Sequence, residues 1–95
     1  MSARTVARIR ETLAAQFTPE VLDIADDSAL HAGHAGARDG GGHYRVHIVS
    51  EAFEGCSRVM RQRMIYAALG DMMKLDIHAL AIRALSASEA KTQAN

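Results

Sequence analysis

His43-Tyr44-Arg45-Val46-His47-Ile48-Val49-Ser50 sets Tyr44, Val46 and Ile48 on one side and Arg45, His47 and Val49 on the other. Neighbouring side chains of a strand point to opposite faces, so the stretch predicts a strand with one buried face. Its surroundings decide the fold. Upstream, Ala29 to Gly42 reads Ala-Leu-His-Ala-Gly-His-Ala-Gly-Ala-Arg-Asp-Gly-Gly-Gly. Each glycine adds backbone freedom, which predicts a mobile loop. Before the loop, Leu22 and Ile24 flank Asp23, as expected of a short half-buried strand from Val21 to Asp27.

Farther out, Val6, Ile9, Leu13 and Phe17 recur at helical spacing, predicting an amphipathic helix from about Arg4 to Phe17. Thr18-Pro19-Glu20 should end it, because proline disfavours a helical residue before it. Arg4, Arg8 and Arg10 give this segment some likeness to an organellar presequence. It is read as the domain's own first helix because it runs straight into the fold. Downstream of Ser50, Ser57 is a suitable N-cap for a second helix ending around Lys74. Met60, Met64, Ile65, Ala68, Leu69 and Met72 mark its expected buried face. Ile77 to Leu85 is an apolar run of strand length, with His78, Leu80 and Ile82 expected on one face. Residues 1–86 therefore form the expected domain, and 87–95 a polar C-terminal tail that frays.

The order helix, strand, strand, helix, strand predicts a small single α+β domain. One loop should make the first two strands antiparallel, and the helical crossover should make the third parallel to the second. If the third strand lies beside the second, both begin at the sheet edge that carries the glycine-rich loop. His78 then comes near His31, His34 and His43. Neutral imidazole ligates iron, copper and zinc, so a loop histidine meeting a strand histidine is a candidate metal site.

Composition narrows the function classes. The chain has 95 residues, 48% hydrophobic and 4% aromatic with no Trp, so its expected core is aliphatic and methionine-rich. A net charge of zero argues against strong nonspecific attraction to nucleic acid or an acidic membrane. The single Cys56 cannot form an intramolecular disulfide or an all-cysteine site. With no apolar run of membrane-helix length, the expected compartment is cytoplasmic. The glycines lack the Gly-Lys-Ser/Thr ending of a phosphate loop, and no Ser, His and Asp fall in a nucleophile context, so no enzyme is expected. Met60, Met64, Met72 and Met73 follow core spacing rather than a copper motif, and Cys56 reads as an ordinary small residue.

Several stretches together carry a family likeness. They are Asp27-Ser28-Ala29-Leu30-His31, His43-Tyr44-Arg45-Val46, Val49-Ser50 with Phe53-Glu54-Gly55, Arg61-Gln62-Arg63-Met64-Ile65-Tyr66, and Ile77-His78-Ala79-Leu80-Ala81-Ile82. In this order, across nearly the whole chain, the sequence resembles the BolA family. The resemblance implies a type II KH-like domain with a three-stranded mixed sheet and helices on one face. It implies a monothiol glutaredoxin partner and a bridging 2Fe-2S cluster shared with that protein and glutathione. His78 matches the family ligand that opens the last strand, and His31 matches the loop ligand. His34 and His43 are weaker candidates. Glutaredoxin cysteine and glutathione thiolate would complete the set. No cluster is then expected on the isolated monomer. The family's Arg-His-Arg reads Arg61-Gln62-Arg63 here, which alters a partner-facing surface and leaves the ligands intact.

The alternative is a KH-like nucleic-acid-binding transcriptional regulator, with Arg58, Arg61 and Arg63 on phosphates. Near the second helix, Gly70-Asp71-Met72-Met73 lacks the second glycine of a Gly-x-x-Gly loop. Binding to nucleic acid is accordingly expected to be weak.

Overall fold

The computed structural model describes residues 2–28 and 42–93. Helix α1 (Ser2–Phe17) leads to strand β1 (Val21–Asp26), and strand β2 is Gly42–Val49. A 3-10 turn at Glu51–Phe53 precedes α2 (Arg58–Leu69), the short α3 (Met72–Leu75), β3 (Ile77–Leu85) and α4 (Ala87–Gln93). The strands form one sheet in the order β1-β2-β3. β1 runs antiparallel and β3 parallel to β2, the mixed sheet expected from the connections.

One sheet face meets the helices. Ile9, Leu13 and Phe17 of α1 and Ile65 and Leu69 of α2 bury against Tyr44, Val46 and Ile48, with Phe53 and Ile77 in the same core. The Phe17 and Phe53 rings pack in a tilted arrangement, 5.1 Å between centroids and 37° between planes. Ser50 ties three elements together beside them. Its Oγ donates to Phe17 O at 2.7 Å and accepts from Ala52 N, while its backbone N–H donates to Leu85 O at 3.0 Å.

Three details of the helices differ from the sequence reading. Ser57 caps α2 by accepting from Met60 N at 3.1 Å, as expected, but the inward row is Arg61, Ile65 and Leu69. Met60 therefore turns to solvent, 46% exposed. The second helix also stops early. Gly70 takes φ +54°, a conformation side chains with a Cβ rarely adopt, and its N–H bonds to Tyr66 O before α3 resumes at Met72.

The third difference is at the C-terminal end, where the expected fraying tail contains α4. Ser86 Oγ accepts from Glu89 N at 3.2 Å, and Glu89 Oε1 accepts from Ser86 N at 2.8 Å. This reciprocal capping box satisfies orphan donors at the helix start. Arg61 then holds Glu89 at 2.6 Å, fixing α4 to α2.

Candidate metal centre

β2 and β3 begin at one edge of the sheet, and each contributes a histidine there. The register pairs Gly42 with Ile77 and His43 with Ala79, so His78 is the extra residue of a bulge on β3. A bulge redirects a side chain that strict alternation would send elsewhere. Here it separates His78 from the partly buried Leu80 and Ile82, correcting the expectation that the three share a face. His78 is exposed, and its ring lies 5.1 Å from that of half-buried His43, centroid to centroid, at 51° between planes.

The backbone around this pair is anchored. Gly42 N–H donates to Asp76 O at 3.2 Å, drawing the start of β2 to the residue before Ile77. A side chain at position 42 would overlap the Tyr44 ring, so glycine permits the close approach. His43 N–H donates to Ser28 Oγ at 3.1 Å, and His43 O accepts from Asp27 N at 2.7 Å. These bonds place residue 28 beside residue 43. Two ion pairs frame the same edge: Arg45 Nε to Asp27 Oδ2 at 3.1 Å and Arg8 Nη1 to Asp76 Oδ2 at 3.0 Å. Both include partly exposed side chains, so they orient the backbone more than they stabilise it.

The two imidazoles are not a complete site. Among the described residues no group of three or more His, Cys, Asp or Glu is placed to hold a metal ion. His31 and His34 lie outside the described residues. His47 occupies the middle of β2, its Nδ1 4.0 Å from Asp23 Oδ2 on β1. Cys56 belongs to the other end of β3, since Arg61 bonds both Cys56 O at 3.0 Å and Ala84 O at 2.9 Å. Ala84 is six residues beyond His78, roughly 20 Å along a strand.

The arginines proposed as phosphate contacts separate. Arg58 and Arg63 are exposed on α2. Arg61 is 9% exposed, and its guanidinium is occupied by Cys56 O, Ala84 O and Glu89, so it serves inside the fold. Glu89 is held well below the ordinary carboxylate value, at about 2, by the Ser86 backbone N–H and then by Arg61. Sequence reasoning missed this cluster, although Ser86-Ala87-Ser88-Glu89 has capping-box spacing.

The family profile described as BolA-like protein matches residues 13–89. The chain belongs to the BolA family. It is 45% identical over 87 residues to SufE-like protein 1, chloroplastic/mitochondrial, of Arabidopsis thaliana, an overlap covering 86% of this chain and 24% of that protein. It is 37% identical over 82 residues to the DNA-binding transcriptional regulator BolA of Escherichia coli (strain K12), covering 86% and 75%. The structure of the BolA domain of SufE1 from Arabidopsis thaliana superposes with a TM-score of 0.78 at 43% identity, covering 88% of this chain and 93% of that one. BolA1, chloroplastic, of the same plant is matched over 56% of its length, so the chain spans a quarter to somewhat over half of these two plant relatives. The BolA likeness and the small α+β domain with a mixed sheet are thus as the sequence indicated. Relatives are named as regulators or BolA-like proteins, and no described helix is long and apolar enough to cross a membrane.

Proposed function

We propose that this BolA-family chain is a non-enzymatic, cytoplasmic factor in iron–sulfur trafficking or iron sensing that binds a monothiol glutaredoxin. The observation carrying this reading is the exposed His78 beside His43, at an edge where the described residues alone do not supply enough donors to close a site. A 2Fe-2S cluster takes four ligands, and imidazole can replace thiolate on one iron. This chain would supply two imidazoles, and glutaredoxin cysteine and glutathione would supply two thiolates. His78 is the fixed ligand. His31 is the second by the family's pattern, with His34 and His43 as its neighbours in the order of substitution.

The chain's own residues act as a ligand platform. The bulge presents His78, and Gly42, Asp27 and Ser28 hold the adjoining backbone at that edge. When bound, the cluster would supply electron storage and a transferable iron–sulfur unit. The alternative regulator reading draws on exposed Arg58 and Arg63 and ranks second because Arg61 is occupied internally.

The experiment is anaerobic purification with and without a monothiol glutaredoxin and glutathione. The mixed complex should carry a cluster whose absorption and circular dichroism differ from those of the glutaredoxin homodimer. A stoichiometric cluster on the isolated monomer would contradict ligand sharing.

A further inference from the structure

The opposite end of β3 carries a second surface. A groove of about 430 Å³ runs between the start of α2 and the last half of β3, lined by Arg58, Arg61, Gln62, Ile82, Arg83 and Leu85 among others. Ile82 is four residues past His78, roughly 13 Å along the strand. The groove is therefore separate from the histidine edge.

Two features of the groove fit an extended peptide. First, β3 is an edge strand. Leu85 O accepts from Ser50 N on the inner side of the sheet, whereas Ala84 O faces away from β2 and is held by Arg61. Alternation along a strand directs the N–H and C=O of Ile82 outward like those of Ala84. The sheet formed by the described residues has no strand beyond them. Arg83 is the single charged residue in this nine-residue edge strand, and because Arg61 takes the outward carbonyl of Ala84, pairing is left to the outward groups of Ile82.

Second, the groove is basic although the whole chain is neutral. Arg58 is exposed and has no ion pair among the described residues. The chain already seats one carboxylate here, Glu89 on Arg61 at 2.6 Å.

We propose that the β3 edge and its arginine groove dock an extended acidic segment of a partner protein, added to the sheet as a fourth strand with a carboxylate against Arg58. Main-chain bonds to Ile82 would give affinity, and Arg58 would select the charge. Single-stranded nucleic acid fits less well. The lining has no aromatic ring for base stacking, and the central arginine is already satisfied. A second copy also fits less well, because a two-fold contact would present the same basic patch from both sides.

The test follows amide shifts of the ¹⁵N-labelled full chain. The probes are a short peptide alternating glutamate with valine, its lysine counterpart, the acidic peptide N-methylated at alternate residues, and a short oligothymidylate. The acidic peptide should shift Arg58, Ile82, Arg83 and Ala84, while the lysine and N-methylated peptides should not. Arg58→Glu should weaken acidic-peptide binding at least about tenfold without lowering the melting temperature, since glutamate suits the first turn of a helix. The proposal is overturned if the acidic peptide does not bind, if the lysine or N-methylated peptide binds equally well, or if Arg58→Glu leaves affinity unchanged. Shifts caused by oligothymidylate alone, or by raising protein concentration without peptide, would instead assign the groove to nucleic acid or to a second copy.

Discussion

His43 and His78 face each other at 5.1 Å, ring centroid to centroid, because a one-residue bulge pairs His43 with Ala79 and leaves His78 beside the pair. His78 is exposed and His43 half-buried. Their replacement should therefore change ligation without unfolding the domain.

The second ligand can be separated from its neighbours by substitution. In the mixed complex with glutaredoxin, His31→Ala should weaken or shift the cluster spectrum, with His34 partly substituting, and the His31/His34 double variant should lose more. His43→Ala should cause a smaller shift through the contact with His78. A spectrum altered by His43→Ala alone would make His43 the ligand.

Gly42 supports the same edge. Gly42→Ala sets a methyl group into the ring of Tyr44, which is 4% exposed and cannot swing into solvent without leaving the core. Overpacking of this kind costs about 1–3 kcal/mol. Urea denaturation should show a lower midpoint, whereas an unchanged midpoint would mean that the ring moves aside freely.

Acid should loosen the C-terminal helix. Glu89 is lowered from 4.5 to about 2, chiefly by the Ser86 backbone N–H and then by Arg61, and Glu54 is lowered by Ser86 and Ser88. A carboxylate with a depressed folded value contributes stability that is present above its unfolded value and lost as pH falls through the folded one. The melting temperature should thus fall between about pH 4.5 and pH 2, and Glu89→Gln should flatten that slope. Arg61→Ala, which also leaves Ala84 O and Cys56 O without their charged donor, should cost roughly 1.5–3 kcal/mol at neutral pH. An acid slope unaltered in Glu89→Gln would assign the titration elsewhere.

DNA binding should be weak and steeply salt-dependent, resting on a few arginine–phosphate contacts. Arg58→Ala and Arg63→Ala should weaken it with the fold intact, while Arg61→Ala should act through stability. Fluorescence anisotropy across a salt series checks this. Tight sequence-selective binding at physiological salt, lost in Arg58→Ala, would favour the regulator reading.

Element order was legible because the signals were local. Alternation at Tyr44, Val46 and Ile48 and helical spacing at Ile9, Leu13 and Phe17 both recur in the packed core. The BolA likeness was legible in short motifs spread along the chain. The bulge was not, because it depends on how β3 registers against β2, although a histidine sharing a predicted face with Leu80 and Ile82 was out of place. Arg61 was misread for a similar reason. Helical spacing assigns Met60 and Arg61 to adjacent positions, and the carbonyls of Cys56 and Ala84 that draw Arg61 inward are brought there by tertiary contact. His31 and His34 lie outside the described residues, so the part of His31 rests on the family pattern and that of His34 on its place in the same loop.

The most direct test is the visible absorption and circular dichroism of the anaerobic complex with a monothiol glutaredoxin, comparing wild type with His78→Ala. Far-ultraviolet circular dichroism checks that the variant is folded. His78 is fixed in place by its strand, so the folded variant should keep its cluster-free contact with glutaredoxin and lose the spectrum of the mixed cluster. A folded His78→Ala protein giving the wild-type spectrum would contradict the assignment of His78 as the fixed ligand.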